Sequence, residues 1–419
     1  MGYSSCRLRF EPFLTSPASD RLYDRNFWLA FVSQICFVSA NTLMAHYSRW
    51  IEYLGGDLSQ VGMIMGVGAL LGLLLRPWMA QWINRLGARV MWACGLVFFS
   101  LSALTNLFLE SIDLEIFLVR SVLVMGAAIV FASGLTYISQ TSPESRRTEA
   151  IGIFGIGGFL GMLTGPFVGD LFLANRLRDN FEMLFLVAAI ANSLPLVLLY
   201  FLRPTVNEGS KSSLRVADFI QIARRYWPGS ILLVDFSFGV CMTAPFVFVA
   251  SFIDRESLDM PGVSVIGLFF LFYAGIAIIV RLLSRRLPDR IGSAKVLLWG
   301  VLLMSIGLFC FSIVHVGNPW LISIPAILTG AGHSLMFHTM TSLTLQPFPI
   351  AVRGTGSAIA LMMLDLGTFL GAPPLGFLGE AYGFATLFAT IGGFNLLSGL
   401  VYAWFTMRKS GFTIPKSGH

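Results

Sequence analysis

Five ionisable side chains interrupt otherwise apolar stretches of this chain: Arg120, Asp235, His333, His338 and Asp365, with Asn41 as an uncharged hydrogen-bonding companion. A charge at the centre of a bilayer costs at least about 2.5–3.5 kcal/mol, so each needs a partner or a wet path. The chemistry open to such groups is proton exchange and ligand pairing rather than bond cleavage. Asp365, between Met362 and Thr368, is a candidate for proton coupling or substrate contact, against a structural hydrogen-bonding role. His333 has Gly330, Gly332 and Ser334 around it, and an imidazole ordinarily titrates near physiological pH, so a proton relay and a satisfied core histidine both fit. His338 and Asp235 lie nearer one membrane face, where Asp235 could also reach water. Arg120 sits early in its block, where it could tune a carboxylate, bind an anionic substrate or snorkel to the interface.

Other chemistries lack their residues. There is no Gly-x4-Gly-Lys-Ser/Thr loop for nucleotide phosphates and no nucleophile–base–acid set, so the chain reads as a non-enzyme without a cofactor. Cys6, Cys36, Cys94, Cys241 and Cys310 show no ligand spacing, and no metal site is expected.

The elements that must position these residues are membrane helices. Of 419 residues, 56% are hydrophobic and only 12% charged, with mean hydropathy +0.76. The apolar residues fall into twelve blocks, from 28–48 to 384–407, each long enough to span the hydrocarbon core. Unbroken apolar runs such as Val296–Met304 argue for helices over the alternation of a β-barrel. The net charge of +6 does not point to nucleic acid, because of where it lies. With both termini in the cytoplasm, nearly all Lys and Arg fall inside; only Arg49, Arg176, Arg178 and Arg255 fall outside, and Arg120 within a helix. The first 27 residues are polar and carry no signal-peptide pattern.

A short segment occurs twice, 205 positions apart: Arg76, Asn84, Arg85 and Gly87 map onto Arg281, Asp289, Arg290 and Gly292. A second repeat, Pro143–Arg147 and Pro349–Arg353, keeps nearly the same offset. Both follow an even number of blocks, so two parallel halves are related by an axis along the membrane normal. The expected organisation is a cytoplasmic tail 1–27, a six-helix half 28–202, a cytoplasmic linker 203–228, a second six-helix half 229–407 and a cytoplasmic tail 408–419. Arg215–Tyr226 could form a short amphipathic helix on the inner membrane surface or remain a solvated linker.

This pattern resembles the major facilitator superfamily from about Phe27 to Met407. Ala80–Arg89 resembles the family's Gly-x-Leu-x-Asp-Arg-x-Gly-x-Arg loop, with Asn84 where the family has Asp, while Leu287, Asp289, Arg290 and Gly292 keep its counterpart. The resemblance implies that Arg76, Asn84, Arg85, Gly87, Arg281, Asp289, Arg290 and Gly292 belong to cytoplasmic latch loops. Gly152, Gly161, Gly165, Pro166 and Gly169 resemble the antiporter motif of the fifth helix, with Asp170 replacing its last Gly. In that family the motif is associated with exporters and implies a seal between the halves. Arg120 resembles a helix 4 arginine tied to proton coupling, although Leu123 and Val124 follow it where the family has Gln and Gly.

The expectation is an all-α membrane protein with twelve transmembrane helices in two pseudo-symmetric halves. It would be a multi-pass, monomeric secondary transporter of the inner or plasma membrane, exporting a small molecule by alternating access at the expense of a proton gradient. Its partners would be that molecule, protons and the lipid bilayer. The alternatives are a proton symporter importing a sugar, organic acid or other metabolite, and a membrane sensor or assembly factor that does not transport.

Overall fold

The structure, a computed structural model, describes residues 22–143, 146–173, 177–204, 216–349 and 352–410; the side chain of Asn84 lies outside the described residues. Within them the chain forms long helices and no strand. The first half holds α1 (Arg25–Tyr53), α2 (Leu58–Leu86), α3 (Ala88–Phe108), α4 (Leu114–Thr141), α5 (Arg147–Phe172) and α6 (Arg178–Tyr200). The second holds α7 (Ile231–Arg255), α8 (Val265–Ser284), α9 (Ser293–Ile313) and α10 (Pro319–Leu345). The helix that follows, Arg353–Ser410, is two spans joined at Gly383, whose φ of 82° and ψ of 169° are not helical. It divides into α11 (353–382) and α12 (384–410), which completes the expected twelve.

Glycine explains part of the repeated segment. Gly87 separates α2 from α3 at φ 88°, and Gly292 stands just before α9 at φ 92°. Both conformations are strained for any residue with a Cβ. By contrast, Arg76 and Arg281 are not loop residues. Arg76 lies ten residues inside the end of α2, and Arg281 lies within α8, because the apolar runs continue through both positions.

The halves repeat their internal packing. In the first, α1 packs on α5 and α4 on α2 and α3; in the second, α7 packs on α11 and α10 on α8 and α9. The seam between halves is made by α2 against α11 and by α5 against α8. Small residues carry the first of these contacts. A Cβ on Gly62 would strike the Ala372 carbonyl, and one on Gly66 would strike the Pro373 ring. Close backbone approach of this kind is the usual packing device between membrane helices.

The connection between the halves contains a short helix, Val216–Arg225. Its apolar residues Phe219, Ile222 and Ala223, with Tyr226 beyond it, pack on Leu232, Phe348 and Ile359. The amphipathic helix is therefore real, but this face is taken up by protein contacts with the second half. That side of the molecule is called the linker face below, and the side with the α1–α2 and α7–α8 turns the far face.

Candidate functional site

Away from the helix ends, the two halves meet through an ion pair between α2 and α11. Arg76 Nε of α2 donates to Asp365 Oδ2 of α11 at 2.8 Å. Asp365 is thus not the lone carboxylate that its apolar surroundings imply. Its partner comes from the other half, 289 residues away in sequence. Arg76 is buried, and its NH1 has no hydrogen-bond partner among the described residues.

His333 occupies an aromatic box on α10. Its Nδ1 shares a 2.5 Å hydrogen bond with the Tyr273 hydroxyl of α8. Phe238, Phe337 and Phe159 surround the ring, with centroids at 5.1, 5.9 and 5.3 Å. Phe159 belongs to α5, so this box also joins the halves. Further along α10, His338 donates from Nδ1 to the Ser334 carbonyl at 2.6 Å. Arg281 of α8 lies within electrostatic reach of both histidines. A Cβ on Gly155 of α5 would stand 3.3 Å from Arg281 NH2.

The remaining embedded groups do not join this cluster through any described hydrogen bond or ion pair. Asp235 is fully buried rather than in reach of water; Thr344 Oγ1 donates to its Oδ2 at 2.6 Å, and its Oδ1 has no partner among the described residues. Arg120 is also buried, not snorkelling, with its guanidinium 4.8 Å from the centroid of the Tyr47 ring. Tyr47 in turn donates to Asn106 Oδ1 at 2.7 Å. Asn41 is half-buried on α1.

The glycines of α5 face inward to their own half. A Cβ on Gly161 would collide with Val38, one on Gly165 with Thr42 and one on Gly169 with His46, all of α1. Hydrogen bonds follow the same line: Ser39 Oγ meets Thr164 Oγ1 at 2.6 Å, and Thr42 Oγ1 donates to the Gly161 carbonyl at 3.1 Å. A Cβ on Gly152 would meet nothing within 4 Å. The motif therefore packs α5 on α1 and does not seal the seam between halves. Asp289 and Arg290 are exposed and form no ion pair with another described residue.

A second site, at the far face, is absent from the sequence expectations. Arg49 of α1 donates to Asp254 of α7 through Nε at 2.9 Å and NH2 at 2.8 Å, and to Asp170 of α5 through NH1 at 2.6 Å. Arg255 pairs with Glu52 at 2.9 Å and Glu380 at 2.8 Å, and Glu380 also accepts from the Leu58 backbone. These contacts tie the halves together at the far face. His46 lies inside the network. Its Nε2 donates to the Pro166 carbonyl at 3.0 Å, which leaves Nδ1 to accept from Arg49 NH1 at 2.9 Å. Both bonds are satisfied by one neutral tautomer. The available signals were the 205-residue spacing of Arg49 and Asp254 and the departure of Asp170 from the glycine motif.

Outside the spans, at the linker face, Tyr23 donates to Glu149 Oε1 at 2.6 Å, and this bond holds its hydroxyl above the usual phenol range. Arg146 forks onto the same carboxylate at 2.9 and 2.8 Å, an exposed pair of small energetic weight. Among the described residues no group of His, Cys, Asp and Glu could hold a metal ion.

The chain matches the family model described as Major Facilitator Superfamily over residues 27–372 and 286–418. It is 23% identical to an uncharacterized MFS-type transporter of Methanocaldococcus jannaschii, over 86% of this chain and 91% of that one. It is 21% identical to the staphylopine export protein of Staphylococcus aureus, again over 86% and 91%. Among solved structures, a POT family transporter in complex with a thioalcohol-conjugated peptide superposes with a TM-score of 0.73 at 16% identity, covering 92% of this chain and 96% of that chain.

Proposed function

Since the chain belongs to the Major Facilitator Superfamily, a family of membrane transporters and not of enzymes, we propose that it is a proton-coupled exporter of a small, partly apolar molecule. The linker face is assigned to the cytoplasm of an inner or plasma membrane, because most Lys and Arg of the connecting segments lie on it. The protein then works as a monomer that exposes its midplane site to one side at a time, with the proton gradient as energy source.

The observation that carries the coupling is the Arg76–Asp365 pair. It joins the halves inside the membrane, where breaking it leaves a charge without compensation. A proton arriving at Asp365 neutralises the carboxylate and frees Arg76, so protonation and the separation of the halves are linked. The far-face network sets the direction of access in this conformation. With Arg49, Asp254, Arg255, Glu52 and Glu380 joined, a substrate enters from the linker face. Kinship with an export protein favours efflux over import.

The test is transport by the purified full chain in proteoliposomes. With an acidic lumen and an inside-out orientation, candidate substrates should accumulate in the lumen as protons leave, and collapsing the pH gradient should stop them. Accumulation that ignores the gradient would overturn the coupling. Accumulation only when substrate and proton move the same way would assign import by symport.

A further inference from the structure

The two halves pair their arginines unequally. Arg76 and Arg281 are corresponding residues of the repeat, on α2 and α8. Arg76 finds Asp365 on α11. The residue of α5 that corresponds to Asp365, on the offset that relates Arg147 to Arg353, is Phe159. Phe159 packs on Ala274 and Ala277 of α8, two turns and one turn from Arg281. An aromatic ring thus stands where the symmetry calls for a carboxylate. Arg281 is half-buried, and it forms no ion pair or side-chain hydrogen bond with another described residue.

We propose that Arg281 is the docking group for the carboxylate of an anionic, partly apolar substrate, held where α5, α8 and α10 meet. This rests on the transporter reading above and names its substrate class. Arg281 packs against Gly155, where an added Cβ would stand 3.3 Å from its NH2, so the glycine is what lets the guanidinium lie at the α5–α8 contact. His338 lies within its electrostatic reach, and its Nδ1 is already committed to Ser334. Phe159 and the half-buried Phe337 supply an apolar wall for the rest of the molecule.

The charge count favours a monoanion. Asp365 already neutralises Arg76, whereas Arg281 has no ion-pair partner among the described residues. A planar guanidinium matches a planar carboxylate through two parallel hydrogen bonds. A phosphate dianion would call for further donors, and Arg76 is already held by Asp365 at the α2–α11 contact. Depth argues against a lipid headgroup. Gly155 lies about 12 Å along α5 from its start at the linker face, taking 1.5 Å per residue. Arg120, the other embedded arginine without an ion-pair partner, is buried within its own half under Tyr47.

The test is ligand-induced thermal stabilisation of the lipid-free, detergent-purified full chain. The probes are aromatic and aliphatic monocarboxylates, each beside its primary amide, with inorganic phosphate as a separate arm. At least one carboxylate should stabilise the wild type where its amide does not. Arg281→Gln should weaken that binding about tenfold or more, and Arg281→Lys should restore part of it. The assignment falls if no carboxylate outperforms its amide, if Arg281→Gln binds as the wild type does, or if inorganic phosphate stabilises as well as the carboxylates. None of these outcomes touches gradient-driven flux, so the transporter reading stands or falls separately.

Discussion

Arg49 and Asp254 occupy corresponding positions of the two halves, 205 residues apart, and join across the pseudo-twofold axis through two hydrogen bonds at 2.9 and 2.8 Å. Both follow a distorted turn in their helix, a 3-10 turn at Met44–His46 in α1 and a π turn at Ala244–Phe248 in α7. The same structural position thus carries a cation in one half and an anion in the other. Symmetry brings the two positions face to face, and the charge difference makes the contact attractive.

Removing Arg49 leaves Asp170 and Asp254 without their common partner. Breaking a buried pair from one side costs about 3–5 kcal/mol. Arg49→Gln should therefore loosen the far face. A cysteine introduced at Ser251, which is fully buried, should become reactive to a membrane-impermeant maleimide added on that side. The exchanged pair Arg49→Asp with Asp254→Arg should recover less than full closure, because the carboxylate moved onto α1 would stand beside Asp170. Unchanged labelling in Arg49→Gln would remove the gate assignment.

His46 should tolerate a neutral replacement and not a charged one. Its Nε2–H serves the Pro166 carbonyl, while Nδ1 accepts from Arg49. A Gln side chain offers both donor and acceptor groups, whereas Lys offers donors alone and a second positive charge. His46→Gln should keep the far face closed in the same maleimide assay, and His46→Lys should open it. Equal labelling of the two variants would mean that the tautomer is not what holds Arg49.

Asp365→Asn should separate coupling from exchange. The amide keeps the shape and a hydrogen-bond acceptor for Arg76 Nε but carries no exchangeable charge. Flux driven by an imposed pH gradient should fall to background, while substrate exchange across proteoliposomes without a gradient should persist. Asp365→Glu should retain gradient-driven flux at a reduced rate. Full gradient-driven flux in Asp365→Asn would move the coupling to another residue.

Two glycine substitutions should fail in different ways. Gly165→Leu drives a side chain into Thr42 and Ser39 of α1, inside the first half. Overpacking of this kind costs about 1–3 kcal/mol, so the melting temperature should fall together with transport. Gly66→Leu strikes Pro373 across the seam, and it should shift the balance of open and closed forms more than the stability of either half. Far-face maleimide labelling read beside the melting curve distinguishes them. A seam effect in Gly165→Leu would restore the sealing role that the family resemblance implies for the α5 motif.

Hydropathy and charge placement are sums over many residues, and these were readable along the chain. Twelve apolar blocks became twelve spans, because burying a helical backbone in lipid leaves few other solutions. The repeat was legible too, down to Gly87 and Gly292, where a positive φ admits little but glycine. The linker segment reads in sequence as either an amphipathic helix or a solvated connection, and the tertiary structure supplies both the helix and its docking on Leu232, Phe348 and Ile359. Embedded charges also marked themselves, since Asp365, His333 and Asp235 stand against an apolar background.

Partnership was decided by the tertiary structure. Asp365 looks solitary in sequence because its counterion is 289 residues away on another helix. Arg49, Asp170 and Asp254 look like unrelated charges near helix ends until α1, α5 and α7 converge. The glycines of α5 could have met either half, and their facing toward α1 follows from the rotation of one helix about its axis. Sequence spacing sets which residues share a helical face, but the direction of that face depends on every helix packed around it. What the chain alone determined was a two-half membrane transporter with a few charges it must use. Which charges meet, and which one is left for a ligand, required the halves to be brought together.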